Sequence, residues 1–404
     1  MSKKVLRCGQ LFQAKDETVL KNMAVAIEDD KITAVTPIGE LDENGAEVID
    51  LSDKFVMPGL IDAHLHVNMN GEPNVDWLAK QTLGDLTLLS MVHAKSDLMA
   101  GFTTIRDEGA IGFTDVALRN AINAGMVDGP RMFVSGMALS STGGHGDAHF
   151  NPDIEGGSFA QIINSPDEAR KAARYTFKYG ADQIKLMATG GVMSYGDEPG
   201  APELTYEEMK AALDIAKSKG RISTAHAHGA EGIKNAIRAG ITSIEHGMLI
   251  DDEGMQMLVD HGTYLIPTII AAYQIVEYGK KGMLAPWMVE KAELCLENHG
   301  EHLKKMIAMG VKIGFGTDAG TAFNRHGEQG YEFELMTEYG FTPAKALLAA
   351  TKVNAELIRW QDKVGSVEAG KFADLVAFDR SPLEDIRVMT KCSFVMKGGK
   401  VYKH

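Results

Sequence analysis

VMPGLIDAHLH, residues 56–66, puts His64 and His66 two positions apart on an apolar, β-branched run. Side chains alternate across a strand, so positions i and i+2 point the same way and two imidazoles can converge on one cation. A histidine alone in an apolar strand is more often a satisfied core residue, and the paired spacing argues for a metal clamp. Four further motifs repeat the pattern of a chemically useful residue after a short apolar run. They are Lys185 in ADQIKLMATGG (181–191), His226 in TAHAHG (224–229), His246 in SIEHG (243–247) and Asp318 in GFGTDAG (314–320). Each run ends in glycine or passes into a helical pattern, which places these residues at the carboxyl ends of different strands. That is where a (β/α)8 barrel gathers its catalytic groups.

Candidate barrel strands lie at 55–61, 103–106, 132–135, 183–187, 222–226, 242–245, 264–268 and 312–316, alternating with helical segments as parallel strands with crossovers do. Helix starts are marked by Thr205 three residues before Glu208 and by Ser165-Pro166. Both ends of the chain alternate like strands, with Asp29-Asp30 and Gly398-Gly399 as turns. The expected fold is α/β: a (β/α)8 TIM barrel over residues 57–364, with a small β-sandwich domain composed of residues 1–56 plus 365–404.

The chain has 404 residues, 45% hydrophobic and 24% charged, with a net charge of −14. That acidity argues against a nucleic-acid or anionic-membrane surface. Three well-separated cysteines, Cys8, Cys295 and Cys392, make no C-x-x-C pair and read as buried thiols of a reducing compartment. The basic start, MSKKVLRCGQLFQ, lacks an apolar signal-peptide core, and no apolar run approaches membrane-spanning length. A cytoplasmic location is expected.

Asp318 taken alone could cap the following helix. Beside four histidines it reads better as a ligand and as a proton acceptor for an attacking water. Lys185 separates the alternatives. An ammonium cannot ligate a metal and would be repelled by one, and the bland reading is a lysine snorkelling to solvent. The sharper reading is a carbamate, formed with carbon dioxide, that is anionic and can bridge two cations.

These motifs, from VMPGLIDAHLH to the closing GKFADLVAFD, resemble the amidohydrolase superfamily nearly end to end. Within it they look like the branch of metal-dependent dipeptidases and amidases that act on Xaa-Pro, Xaa-Arg/Lys or ochratoxin. The resemblance implies two divalent metal ions, zinc first, with His64, His66 and Asp318 on one, His226 and His246 on the other, and carbamylated Lys185 between them. It implies amide-bond cleavage in a small peptide or N-acyl amino acid bearing a free C-terminal carboxylate, with Xaa-Arg/Lys slightly ahead of Xaa-Pro. It also implies a homo-oligomer, with an octamer as one candidate.

His145, in the glycine-rich GGHGD loop, and His228, two after His226, are expected to contact substrate and assist catalysis, although His226 and His228 could exchange roles. Arg325 and His326 are weaker pocket candidates. Acidic loop residues Asp147, Asp197 and Glu198 are candidates to meet a basic side chain. His93, His261, His299, His302 and His404 read as solvated surface. Two rivals stand beside this reading. A mononuclear deaminase or imidazolone-ring hydrolase would lack the lysine at the Lys185 position, and deaminases carry a glutamate sooner after the strand-five histidine than Glu231. A non-catalytic scaffold on the same fold would be expected to have lost ligands.

Overall fold

The computed structural model describes residues 3–148, 153 and 159–404. In chain order the strands are β1 Lys3–Phe12, β2 Val19–Glu28, β3 Lys31–Pro37, β4 Glu47–Pro58, β5 Leu60–Leu65, β6 Phe102–Asp107, β7 Arg131–Val134, β8 Leu139–Ser140, β9 Gln161–Ile162, β10 Gln183–Met187, β11 Ile222–Gly229, β12 Ser243–Leu249, β13 Tyr264–Ile266, β14 Lys312–Ile313, β15 Leu375–Phe378, β16 Phe394–Lys397 and β17 Lys400–Lys403.

Eight of these form the parallel barrel. β5, β6 and β7 pair in one run, and β10 through β14 in another. Two seams join the runs. Asp182 N donates to Val134 O at 2.7 Å, and Ala63 N donates to Phe315 O at 3.0 Å beside a Leu65–Ala319 bridge. Asn354 holds the second seam from behind. Its amide donates to Ile61 O and Phe315 O at 2.8 and 2.7 Å and accepts from Phe315 N at 3.2 Å.

β1–β4 and β15–β17 form a separate seven-stranded sheet in the order β17-β16-β15-β4-β1-β2-β3. Both termini therefore build one β unit, as the sequence implies. Its strands are hydrogen-bonded in a single continuous sheet, because β1 pairs with both β2 and β4 and β4 pairs on to β15. One face shares a core of Leu6, Val25, Ile49, Leu51, Leu375 and Phe394. Gly398 and Gly399 both take positive φ (54° and 70°) in the β16–β17 turn, a conformation glycine adopts without a Cβ clash.

The expected strand at 55–61 is in fact two. Phe55–Pro58 ends β4 and pairs with β15, while the barrel strand begins at Leu60. Pro58-Gly59 makes the break: a Cβ on Gly59 would lie 2.0 Å from Thr103 Oγ1, so only glycine lets the chain cross there. The predicted helix starts hold. Thr205 and Glu208 form a reciprocal capping box, and Ser165 caps the helix Pro166–Lys178. Asn354→Ala removes both donors and the acceptor from a buried seam. It is expected to lower stability by about 2–4 kcal/mol, read from the urea midpoint.

Candidate metal centre and active site

The site rests on a buried charge network at the base of the strands. Glu245 is wholly buried; its Oε1 accepts from Arg106 (2.8 Å), Thr224 (2.5 Å) and Ser243 (2.6 Å), and its Oε2 from His64 Nδ1 (2.8 Å). Burial alone would raise its pKa, but Arg106 and His64 hold it well below the usual carboxylate range. Arg106 also reaches Glu108 Oε1 at 2.9 Å, and Glu108 Oε2 lies 3.3 Å from Lys185 Nζ. Lys185 is 2% exposed, so it does not snorkel to solvent.

Above this network the expected histidines converge at the mouth of the barrel. Carbonyl and carboxylate oxygens only accept, so each contact below assigns a proton to the ring nitrogen that makes it. His64 Nδ1 faces Glu245, His66 Nδ1 faces Gly109 O at 2.9 Å, and His226 Nε2 faces Gly190 O at 3.1 Å. Thr268 gives its hydroxyl hydrogen to Pro267 O at 2.9 Å and so accepts from His246 Nδ1 at 2.6 Å. One nitrogen of each ring is thereby tied back, and the other remains for a ligand.

The two ring nitrogens His64 Nε2 and His66 Nε2 each lie 3.4 Å from Asp318 Oδ1, a buried oxygen with no hydrogen-bond partner. His64, His246 and Asp318 offer ligand atoms within 4.8 Å of one another, and so do His226, His228 and His246. His246 is common to both groups. An orphaned buried carboxylate oxygen amid imidazoles fits a divalent cation with nitrogen and oxygen ligands. The backbone is strained at three of these positions: His246, Thr268 and Asp318 take φ of 69°, 44° and 59°.

Electrostatics favour neutral rings with a free lone pair at His226, His228 and His246, and oppose one at His64 while no cation is bound. Burial first, and neighbouring histidines second, push His226 and His246 well below the ordinary imidazole value, and His228 down to about 3. Burial and Lys185 also push His64 down, but Asp318 and Glu245 outweigh them and raise it to about 9. Burial would raise Asp318, but His64 and His66 hold it well below the carboxylate range.

The metal-site residues floor a cavity of about 600 Å³, also lined by Glu108, His145, Asp147 and His228. One wall is apolar, with Val192, Met248, Ile275, Met283, Trp287 and Met288. His145 stacks on His226 with ring centroids 4.2 Å apart. His228 lies as near His246 (4.9 Å) as His226 does (4.6 Å), so both histidines of β11 reach the shared ligand.

Arg325 and His326, expected in the pocket, are not among its lining residues. His326 Nδ1 lies 3.0 Å from Asp97 and its Nε2 3.1 Å from His66 O, so this buried ring buttresses the backbone of a ligand strand. Of the three acidic loop residues only Asp147 lines the cavity, because Asp197 is engaged by Lys291 and Ser194. The surface reading fails for His299, which is fully buried, and for His93, which is part-buried and stacks on His326 at 4.4 Å.

Sequence reasoning missed Arg106, Glu108, Glu245, Ser194 and Glu203. Glu245 adjoins His246 and Glu108 lies in RDEG, but the signal, a charge inside a barrel strand, shows only once strand boundaries are known.

The model of the amidohydrolase family matches residues 55–402. The chain belongs to that family. It is accordingly a hydrolase of amide carbon–nitrogen bonds with a small-molecule substrate, in a family generally dependent on metal. It is 31% identical to the ochratoxinase of Aspergillus niger over 429 aligned positions, covering 99% of this chain and 86% of the relative. Among solved structures, a Xaa-Pro dipeptidase with methionine bound in its active site matches at 35% identity and a TM-score of 0.92, over 100% of both chains. A prolidase complexed with N-methylphosphonate-L-proline matches at 32% identity and a TM-score of 0.93, also over 100% of both. Among the described residues no helix is long and apolar enough to cross a membrane.

Thr268→Val keeps the branched shape but removes the acceptor for His246 Nδ1. Metal affinity is expected to fall about 10–100-fold in a chelator-competition titration, with the urea midpoint little changed.

Proposed function

We propose that this amidohydrolase is a binuclear zinc enzyme that cleaves the amide bond of a dipeptide or N-acyl amino acid with a free C-terminal carboxylate. The observation that carries this is the pair of ligand groups sharing His246, with Lys185 buried in the same cavity floor. His64, His66 and Asp318 would hold one ion, and His226 and His246 the other, with Lys185 as a bridging carbamate. When bound, the two ions supply Lewis acidity toward the scissile carbonyl and the attacking water.

The chain's own groups do the remainder. Asp318 takes the water's proton on a carboxylate oxygen and delivers it to the departing amine. Glu245 and Thr268 hold His64 and His246 in one orientation. His228 lines the same cavity beside His246, and in this reading it meets the substrate's carboxylate or carbonyl. A one-metal deaminase reading leaves Lys185 only its ion pair with Glu108.

Preference for a basic C-terminal residue is supported by Asp147 and Asp76 in the lining, and the apolar wall suits an apolar side chain elsewhere in the substrate. Exposed Leu88 (62%) and Val92 (58%) on one helix support a homo-oligomer, an octamer being one arrangement, and three buried free thiols suit the cytoplasm. Light scattering at micromolar concentration should give a mass above 43.7 kDa; a monomer would refute the oligomer.

Zinc analysis should return about two ions per chain, and Lys185→Ala about one or fewer with most activity lost. Near one ion in the wild type would sink the binuclear reading. Asp318→Asn is expected to lower kcat by about 10²–10⁴-fold in metal-replete protein; near-wild-type turnover would show its role misassigned. For substrate, kcat/KM for Ala-Arg should exceed that for Ala-Pro and Ala-Leu, and C-terminal amides should be poor. Equal cleavage of the amides overturns the carboxylate claim, and a tenfold preference for Ala-Leu or Ala-Pro overturns only the basic one.

A further inference from the structure

A second recess, of about 440 Å³, opens at the N-terminal ends of the barrel strands, on the face opposite the metal centre. Arg131 begins β7, and Asp182 and Arg221 immediately precede β10 and β11. Arg119 reaches in from the helix Thr114–Asn123. Trp360 and Lys363 come from the segment that leads out of the barrel into the β unit. Arg359 Nη1 donates to Gly220 O at 3.0 Å, which holds that segment against the turn carrying Arg221.

The chain carries a net charge of −14, yet this recess gathers Arg119, Arg131, Arg221 and Lys363 around a single lining carboxylate, Asp182. Arg119 takes Asp182 Oδ2 at 2.7 Å, and Val134 N shares that oxygen at 3.2 Å. Arg131 gives its Nε and Nη2 to Asp374, behind the recess, at 2.9 and 3.2 Å, which leaves its Nη1 edge. Arg221 stands 3.7 Å from Asp182, beyond hydrogen-bond reach, with 47% of its side chain exposed. Among the described residues Lys363 forms no ion pair, and its Nζ sits 5.6 Å from the Trp360 ring centroid. Two carboxylates thus face four cations, and Arg119 and Arg131 already occupy both. A cleft lined by one sign of charge concentrates its field and draws in the opposite ion.

We propose that this recess is a phosphate site, taking a phosphate dianion either free or at the end of a small phosphate ester. Guanidinium forks meet phosphate oxygens in pairs, and an ammonium adds a compact point charge. Here the uncommitted donors of Arg131, Arg221 and Lys363 come from three separate chain segments. A tetrahedral anion has oxygens for all three directions, whereas a flat carboxylate has two. Trp360, half-buried in the same lining, offers surface to the organic part of an ester. A ligand held there joins β7, the start of β11 and the segment at 359–363, beside the Arg131–Asp374 pair that ties the barrel to the β unit. It would stabilise the folded chain by mass action without entering the metal-site cavity.

Isothermal titration of the metal-loaded full chain with inorganic phosphate, at constant ionic strength, should show saturable binding with a Kd of about 1 mM or tighter. Phenyl phosphate separates the two sources: a lower Kd assigns the ester, and an equal one the free anion. Arg221→Ala and Lys363→Ala, both at exposed side chains, should each weaken binding about 10–100-fold. Neither should change the metal content or the urea midpoint in phosphate-free buffer, and Lys363→Arg, which keeps the charge, should retain binding. Phosphate also stabilises proteins by exclusion from their surface and can reach an active-site metal, but both of those effects would survive Arg221→Ala and Lys363→Ala alike. Absence of saturable binding in the wild type, or binding unchanged in the two alanine variants, overturns the proposal.

Discussion

Glu245 and Arg106 are both fully buried, out of reach of bulk solvent. Burying an ion costs several kcal/mol unless its oxygens and hydrogens are taken up by partners of good geometry. Here they are: Arg106 reaches Glu245, Glu108, Ser243 and the Ala63 carbonyl, and Glu245 takes Thr224, Ser243 and His64 as well. The pair ties β5, β6, β11 and β12 together below the site. Removing either member would leave the other as an uncompensated buried charge. The position of His64, and through it of Asp318, follows from that constraint.

The same network sets a charge condition on what the site can hold. With an ammonium on Lys185, that residue and Arg106 face Glu108, Glu245 and Asp318. As a carbamate, Lys185 would join the anions and leave Arg106 and His64 to face them. Such an excess of negative charge at low dielectric is tenable only if divalent cations arrive with it. Carbamylation and metal loading are therefore expected to be coupled events.

The candidate ligands were legible in the sequence because period-two alternation and the strand-to-loop pattern depend on local residues alone. VMPGLIDAHLH, TAHAHG and GFGTDAG show their chemistry in a window of ten residues or so. The seam at Pro58-Gly59 was not legible in the same way, since an apolar run from Phe55 to Ile61 has no local sign of which sheet claims each half. The roles of His326 and His299 depend on partners far along the chain: Asp97 draws His326 beneath the site, and His299 is buried against Tyr339. Asp197 reads locally as a loop carboxylate open to a basic substrate, but Lys291, 94 residues later, occupies it.

A common rule runs through the histidines. Each ligand ring is oriented by an acceptor behind it, and the acceptor differs in kind: a carboxylate for His64, a backbone carbonyl for His66 and His226, a threonine hydroxyl for His246. A carboxylate makes its ring the more basic ligand, a carbonyl does so weakly, and a hydroxyl that has already given its hydrogen away accepts without adding charge. On the proposed two-ion reading, an ion beside His64 and Asp318 would accordingly be held through stronger donors than one beside His226 and His246. Stepwise chelation would then empty the His226–His246 side first. Because His246 belongs to both candidate groups, loss of the weaker ion would free that ring for the tighter one and widen the gap between the two affinities.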